Sequence, residues 1–157
     1  MTIQNLVHFF YKLTYFFLAA QGVFYLLCFS RVFGEGSPLD FIRMRKKAAP
    51  ILEPRLSLLY YSCLATGAIT VGFAFREPFA LYAVATIISF AMLLTDVVLA
   101  KRYNIPINSI IELASVDSVP LEKAADLQKN WIRWIVLRGR IMIAGFILLL
   151  LQNVWFS

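Results

Sequence analysis

Apolar residues fall in four long blocks, with most of the charge gathered between them. The first block runs from about Leu6 to Phe33, interrupted by Lys12, Gln21 and Arg31; the second from about Leu56 to Phe75; the third from Phe79 to Ala100; the fourth from about Trp131 to Phe156. An α-helix needs about 20 such residues to cross a hydrocarbon core of about 30 Å. At about 1.5 Å per residue the first block exceeds that span, so it is expected to tilt or protrude. Only Arg76, Glu77 and Pro78 separate blocks two and three, which makes them antiparallel neighbours in a helical hairpin. The expected fold is an all-α integral membrane four-helix bundle, a single transmembrane domain over residues 1–157.

The two longer connections carry helical signals of their own. In Ser37-Pro38-Leu39-Asp40 the serine suits a cap, the proline the first helical position and the aspartate the first turn. A short basic helix is expected there, with Leu39, Ile42 and Ala49 on one side, Arg43, Arg45, Lys46 and Lys47 elsewhere, and Pro50 and Pro54 ending it. After block three, Asn104-Ile105-Pro106-Ile107-Asn108 predicts a break, because proline disfavours the helical region for the residue before it. A second interfacial helix then begins at Pro106, with Ile107, Ile110, Ile111 and Ala114 as its apolar stripe. Ser118-Val119-Pro120 predicts another break, and from Pro120 a helix through Leu121, Ala124, Gln128 and Trp131 is expected to continue into block four.

Composition strengthens the membrane reading. Of the 157 residues, 61% are hydrophobic and 15% charged, against about 25% charged in soluble domains. A water-soluble or disordered chain is excluded. The net charge of +6 lies beside the apolar blocks, which favours anionic headgroups over nucleic acid as its partner. Of the 15 Lys and Arg, all but Lys12 and Arg76 flank or occupy the first and third connections. By the retention of positive charge on the inner face, connections 34–55 and 101–130 are cytoplasmic and both termini outside, the expected setting being a bacterial cytoplasmic membrane. Residues Met1 to Leu6 lack the basic start and cleavage site of a secretory signal, so the first span is expected to remain in the mature protein.

Candidate chemistry is sparse. Cys28 and Cys63 sit in separate apolar blocks with no further metal-ligand pattern, and both read as packing residues. His8 is the single histidine, with Tyr11 and Tyr15 on the same helical face. It reads as an interfacial hydrogen-bonding residue, and no metal centre, haem or other cofactor is supported. Asp96 near the inner end of block three and Arg138 about two turns beyond Trp131 lie at comparable depth, and a lone charge there costs at least a few kcal/mol unless paired or hydrated. Two readings stand: an interhelical ion pair with Arg138 reaching headgroups, or a ligand-facing pair. Trp131, Trp134 and Arg138 share one helical face, as an interfacial aromatic belt or as a wall around an aromatic or anionic ligand.

The stretch from Asn104 onward, with Asn104-Ile105-Pro106-Ile107-Asn108 after block three and Trp131 followed seven residues later by Arg138, resembles the anthrone-oxygenase-like family of small four-helix membrane proteins. The resemblance implies a bundle like that of DoxX-type proteins and places Asn104, Asn108, Trp131 and Arg138 at a shared site. It also implies cofactor-independent oxygenation of polyketide anthrones, which requires a base that the sequence does not display, His8 lying at the opposite membrane face.

The leading reading is a site for a lipophilic, aromatic or quinone-like molecule near the cytoplasmic ends of spans three and four. Arg138 would stabilise developing negative charge, and Asp96 would orient Arg138 or accept a proton; these are the catalytic candidates. Asn104 and Asn108 would hydrogen-bond the ligand, with Trp131 stacking on it beside Trp134. The alternative is a non-enzymatic accessory subunit or scaffold, or a homo-oligomer, that uses Ala65, Gly67, Ala68 and Gly72 for close helix approach.

Overall fold

The computed structural model describes residues 2–76, 81–115 and 119–154, and the expectations for Glu77, Pro78, Phe79, Ser118 and Phe156 lie outside them. The fold is an all-α four-helix bundle: α1 (Ile3–Glu35), α2 (Pro38–Ala74), α3 (Leu81–Leu113) and α4 (Leu121–Val154). All four are long and apolar enough to cross a membrane, and the chain is an integral membrane protein. Large apolar side chains such as Phe9, Phe16, Phe17, Phe24, Leu58, Val98 and Leu150 point outward, the arrangement expected where lipid is the solvent.

Thr2 caps α1 by accepting the Asn5 N–H at 3.3 Å. The helix has 33 residues, about 50 Å at the usual rise, so it is the overlong element its apolar block suggested. Helix α2 corrects the expectation of a short basic helix ended by proline. Its 37 residues run without interruption through Pro50 and Pro54. An interior proline costs about 3 kcal/mol, but here side chains are anchored on both sides of the pair: Phe41 and Ile42 before it, Cys63, Gly67 and Thr70 after it, all buried.

Pro106 likewise fails to break α3. A π turn over Ala100–Asn104, closed by the Ile105 N–H on the Ala100 carbonyl, lies just ahead of it. The wider coil gives the proline ring room beside the preceding turn. Ile111 is then buried and Ile107 and Ala114 half-buried, whereas Ile110 is exposed. A second π turn, Tyr25–Phe29, lies in α1. As expected, a continuous helix begins just after Pro120 and enters the fourth apolar block, running to Val154.

Neighbours around the bundle are α1 with α2, α2 with α3, α3 with α4, and α4 with α1. The α1–α4 contact is close because Gly22 and Gly139 face each other: a Cβ on Gly22 would lie 2.9 Å from the Gly139 carbonyl oxygen. One apolar cluster includes Tyr11, Tyr15, Leu18, Cys63, Leu93, Met142 and Leu149; the other includes Phe33, Phe41, Ile42, Ile111, Ala124, Trp131 and Ile135. Gly67 packs inside against Phe90 and Tyr11, whereas Ala65, Ala68 and Gly72 face outward. Cys63 is a packing residue; Cys28 is exposed instead.

The two basic connections meet at one end of the molecule. Lys46 Nζ donates to the Ala114 carbonyl at 2.6 Å, and Asn108 Nδ2 donates to Glu53 Oε1 at 3.4 Å. At the same end Gln128 Nε2 donates to the carbonyls of Phe33 and Gly36, satisfying acceptors left open where α1 stops.

Candidate functional site

The polar site lies between the two apolar clusters. Asp96, fully buried on α3, faces Arg138 on α4 across the antiparallel pair. Arg138 donates from Nε to Asp96 Oδ1 at 2.8 Å and from Nη2 to Oδ2 at 3.1 Å. This two-pronged geometry is the strong form of a guanidinium–carboxylate contact. Tyr60 on α2 closes the ring: its hydroxyl donates to Asp96 Oδ2 at 2.7 Å and accepts from Arg138 Nη2 at 3.0 Å. Arg138 Nη1 donates to Asn104 Oδ1 at 3.2 Å.

The structure therefore brings together Asp96, Arg138 and Asn104, three of the residues singled out in the sequence. Arg138 does not reach outward to headgroups; its side chain is 12% exposed. Asp96 has both oxygens engaged, Oδ1 by Arg138 and Oδ2 by Arg138 and Tyr60. Because Arg138 requires an acceptor, the Asn104 amide must turn its oxygen toward it. Its nitrogen, buried and without a partner, is thereby turned away from the ion pair.

A second network adjoins the first. Trp131 Nε1 donates to Asn108 Oδ1 at 3.0 Å, and Asn108 passes the chain of hydrogen bonds to Glu53. The Arg45 guanidinium lies 5.1 Å from the Trp131 ring centroid, a cation–π arrangement. Its Nη2 is 3.8 Å from Glu53 Oε1, and its buried Nε has no partner. Trp131 is 2% exposed and packed by Tyr25, Phe33 and Phe41, and it contacts both Asn108 and Arg45. Trp134 stands apart: it stacks on Tyr103 with centroids 3.6 Å apart and does not line the cavity.

The networks line a partly open cavity of about 100 Å³ walled by Tyr60, Asp96, Asn104, Asn108, Trp131 and Arg138 from the expected set and its neighbours, and by Gln21, Arg45 and Glu53 besides. Sequence reasoning missed Tyr60, Arg45 and Glu53. Tyr60 is one of 7 tyrosines and carries no distinguishing spacing. Arg45 was hidden in a run of basic residues, and Glu53 between two prolines. His8 lines a different cavity of about 170 Å³ with Thr70, Tyr82 and Thr86 and shares no wall with the Arg138 site. Among the described residues no group of His, Cys, Asp and Glu is placed to hold a metal ion.

No family model, curated protein or solved structure matches the chain. The arrangement of its own side chains is therefore the basis for the functional reading.

Chemically, the site is a cluster of oriented donors next to a charge-compensated ion pair. The guanidinium of Arg138 is balanced by Asp96, while Arg45 faces the half-exposed Glu53 at a looser distance. The cavity thus favours an acceptor or an anionic oxygen over a cation. Besides the engaged Asp96, Glu53 is the carboxylate that lines it among the described residues.

Proposed function

We propose that this protein binds a lipophilic small molecule, aromatic or quinone-like, through its oxygen atoms at the cavity beside Asp96 and Arg138. The observation that carries this reading is the pair of buried donors without partners, Asn104 Nδ2 and Arg45 Nε, both on residues that line the cavity. A buried unsatisfied donor costs about 1–3 kcal/mol, and ligand oxygens accepting from them would remove that cost. If the bound molecule is oxidised, as the family resemblance suggests, the oriented donors are suited to an enolate or phenolate oxygen, and Glu53 is the carboxylate available to take a proton.

The test is recovery of co-purifying lipophilic ligand by mass spectrometry from the detergent-solubilised protein. Arg45→Met and Asn104→Leu should each lower recovery about tenfold, the equivalent of about 1.4 kcal/mol. Recovery equal to wild type in both would sink the site. The competing reading, an accessory subunit or scaffold, draws on the outward face of Ala65, Ala68 and Gly72, small residues that admit a neighbouring helix. A stable stoichiometric partner cross-linked in native membranes would favour it.

The proposed orientation in a bacterial cytoplasmic membrane, with residues 34–55 and 101–130 inside, is supported by the basic residues of both connections meeting at one end. A Ser37→Cys variant, made with Cys28 and Cys63 replaced by alanine, should resist a membrane-impermeant maleimide in intact cells and react after lysis. Labelling in intact cells would reverse the orientation.

A further inference from the structure

The cavity beside Arg138 is too small for the molecule it is proposed to bind. At about 100 Å³ it has the volume of about three waters, whereas sites for drug-sized ligands begin at about 300 Å³. A larger cleft of about 360 Å³ lies against it, between α2 and α3, with Ser57, Tyr61, Leu64, Val97, Ala100 and Ser109 among its walls. The two spaces share Tyr60, Asn104, Asn108 and Arg138, together with Glu53 and Leu56.

Three features join the spaces into one site. The π turn at Ala100–Asn104 widens α3 where the cleft meets the cavity, and such turns are frequent at functional sites. Asn104, which is 3% exposed, lies on the boundary with its unpartnered amide nitrogen. The cleft walls also change character along their length: Leu64 and Val97 are apolar and lie within the membrane-spanning blocks, while Ser109, Glu112 and Lys101 stand at the basic end.

Building on the binding reading above, we infer that the ligand is an amphiphile with an apolar body and an oxygen-bearing head. It enters sideways from the lipid between α2 and α3, leaves its body in the cleft, and places only its head oxygen past Tyr60 and Asn104 into the small cavity. Trp131, enclosed by its own aromatic neighbours, supports the head site from behind and does not stack on the ligand. The chemistry selected is an acceptor oxygen on a hydrophobic body.

The experiment uses the full chain in detergent and lawsone, a hydroxynaphthoquinone, as the probe, with binding read by equilibrium dialysis. Ser57→Trp and Ser109→Trp fill the cleft from opposite helices without touching the small cavity; Ser57→Ala is the control. Both tryptophan variants should weaken lawsone binding by about tenfold or more, with Ser57→Ala near wild type. If one tryptophan variant does not remain monodisperse, the other carries the test. Wild-type affinity in the tryptophan variants, together with weakened binding in Arg45→Met, would overturn access through the cleft and leave the cavity reading standing. Failure of wild type to bind lawsone, or undiminished binding in Arg45→Met, would remove the cavity reading and this inference with it.

Discussion

Asp96→Ala should destabilise the bundle by about 3–5 kcal/mol, whereas the paired replacement Asp96→Leu with Arg138→Met should fold nearly as well as wild type yet lose ligand binding. The asymmetry follows from where the cost resides. Asp96 is fully buried and Arg138 nearly so; removing the carboxylate alone leaves a guanidinium with no compensating charge in a low-dielectric interior. Removing both charges returns their desolvation cost and leaves two apolar side chains of similar bulk. Equilibrium unfolding in a denaturing detergent series, with Asp96→Leu and Arg138→Met also measured singly to close the double-mutant cycle, measures the coupling directly. A double variant as unstable as Asp96→Ala would mean that the pair holds the bundle together beyond compensating its own charges. A double variant that still binds ligand would relegate Arg138 to a purely structural part.

The second large effect is expected at the α1–α4 crossing. Gly22→Ala would put a Cβ 2.9 Å from the Gly139 carbonyl oxygen and 3.0 Å from its Cα. These are backbone atoms and cannot swing aside, so the helices must separate, at a cost of about 1–3 kcal/mol. Gly72→Ala is the matched comparison: nothing lies within 4 Å of its Cβ position, and helix propensity should make it stabilising by about 0.5–1 kcal/mol. Opposite signs for the two substitutions in thermal unfolding would verify the close approach. Equal small gains would show that α1 and α4 do not meet as tightly as this. Gly22 and Gly139 also wall the small cavity, so Gly22→Ala should weaken ligand binding as well.

The basic end of the molecule shows how local signals combine with packing. Pro50, Pro54 and Pro106 carry strong breaking signals, each lacking the N–H that an α-helix uses. Their effect was overridden because the segments on both sides have buried partners, and because a π turn accommodates Pro106. The same packing separated Arg45 from its basic neighbours. Arg43 and Lys47 remain exposed, while Arg45, two positions from each, falls on the inward face and lies over Trp131. Arg45 stands three residues after Ile42 and shares its side of the helix, but that this side is covered by Trp131 is set by α4, which no pattern within the basic run records.

Local pattern and charge in the chain were sufficient to determine four apolar spans, their antiparallel succession, the gathering of basic residues at two connections and the comparable depth of Asp96 and Arg138. Those features depend on periodicity, length and the cost of a lone charge in hydrocarbon, all of which act through nearby residues or through depth in the membrane. The tertiary structure alone decided that Tyr60 completes the ion pair, that Trp131 is enclosed while Trp134 pairs with Tyr103, and that Asn104 and Arg45 each keep a donor without a partner. These outcomes depend on the rotation of each helix about its axis and on the one-residue offset of a π turn. Rotation and offset are set by side chains meeting from distant parts of the chain, which no local pattern records.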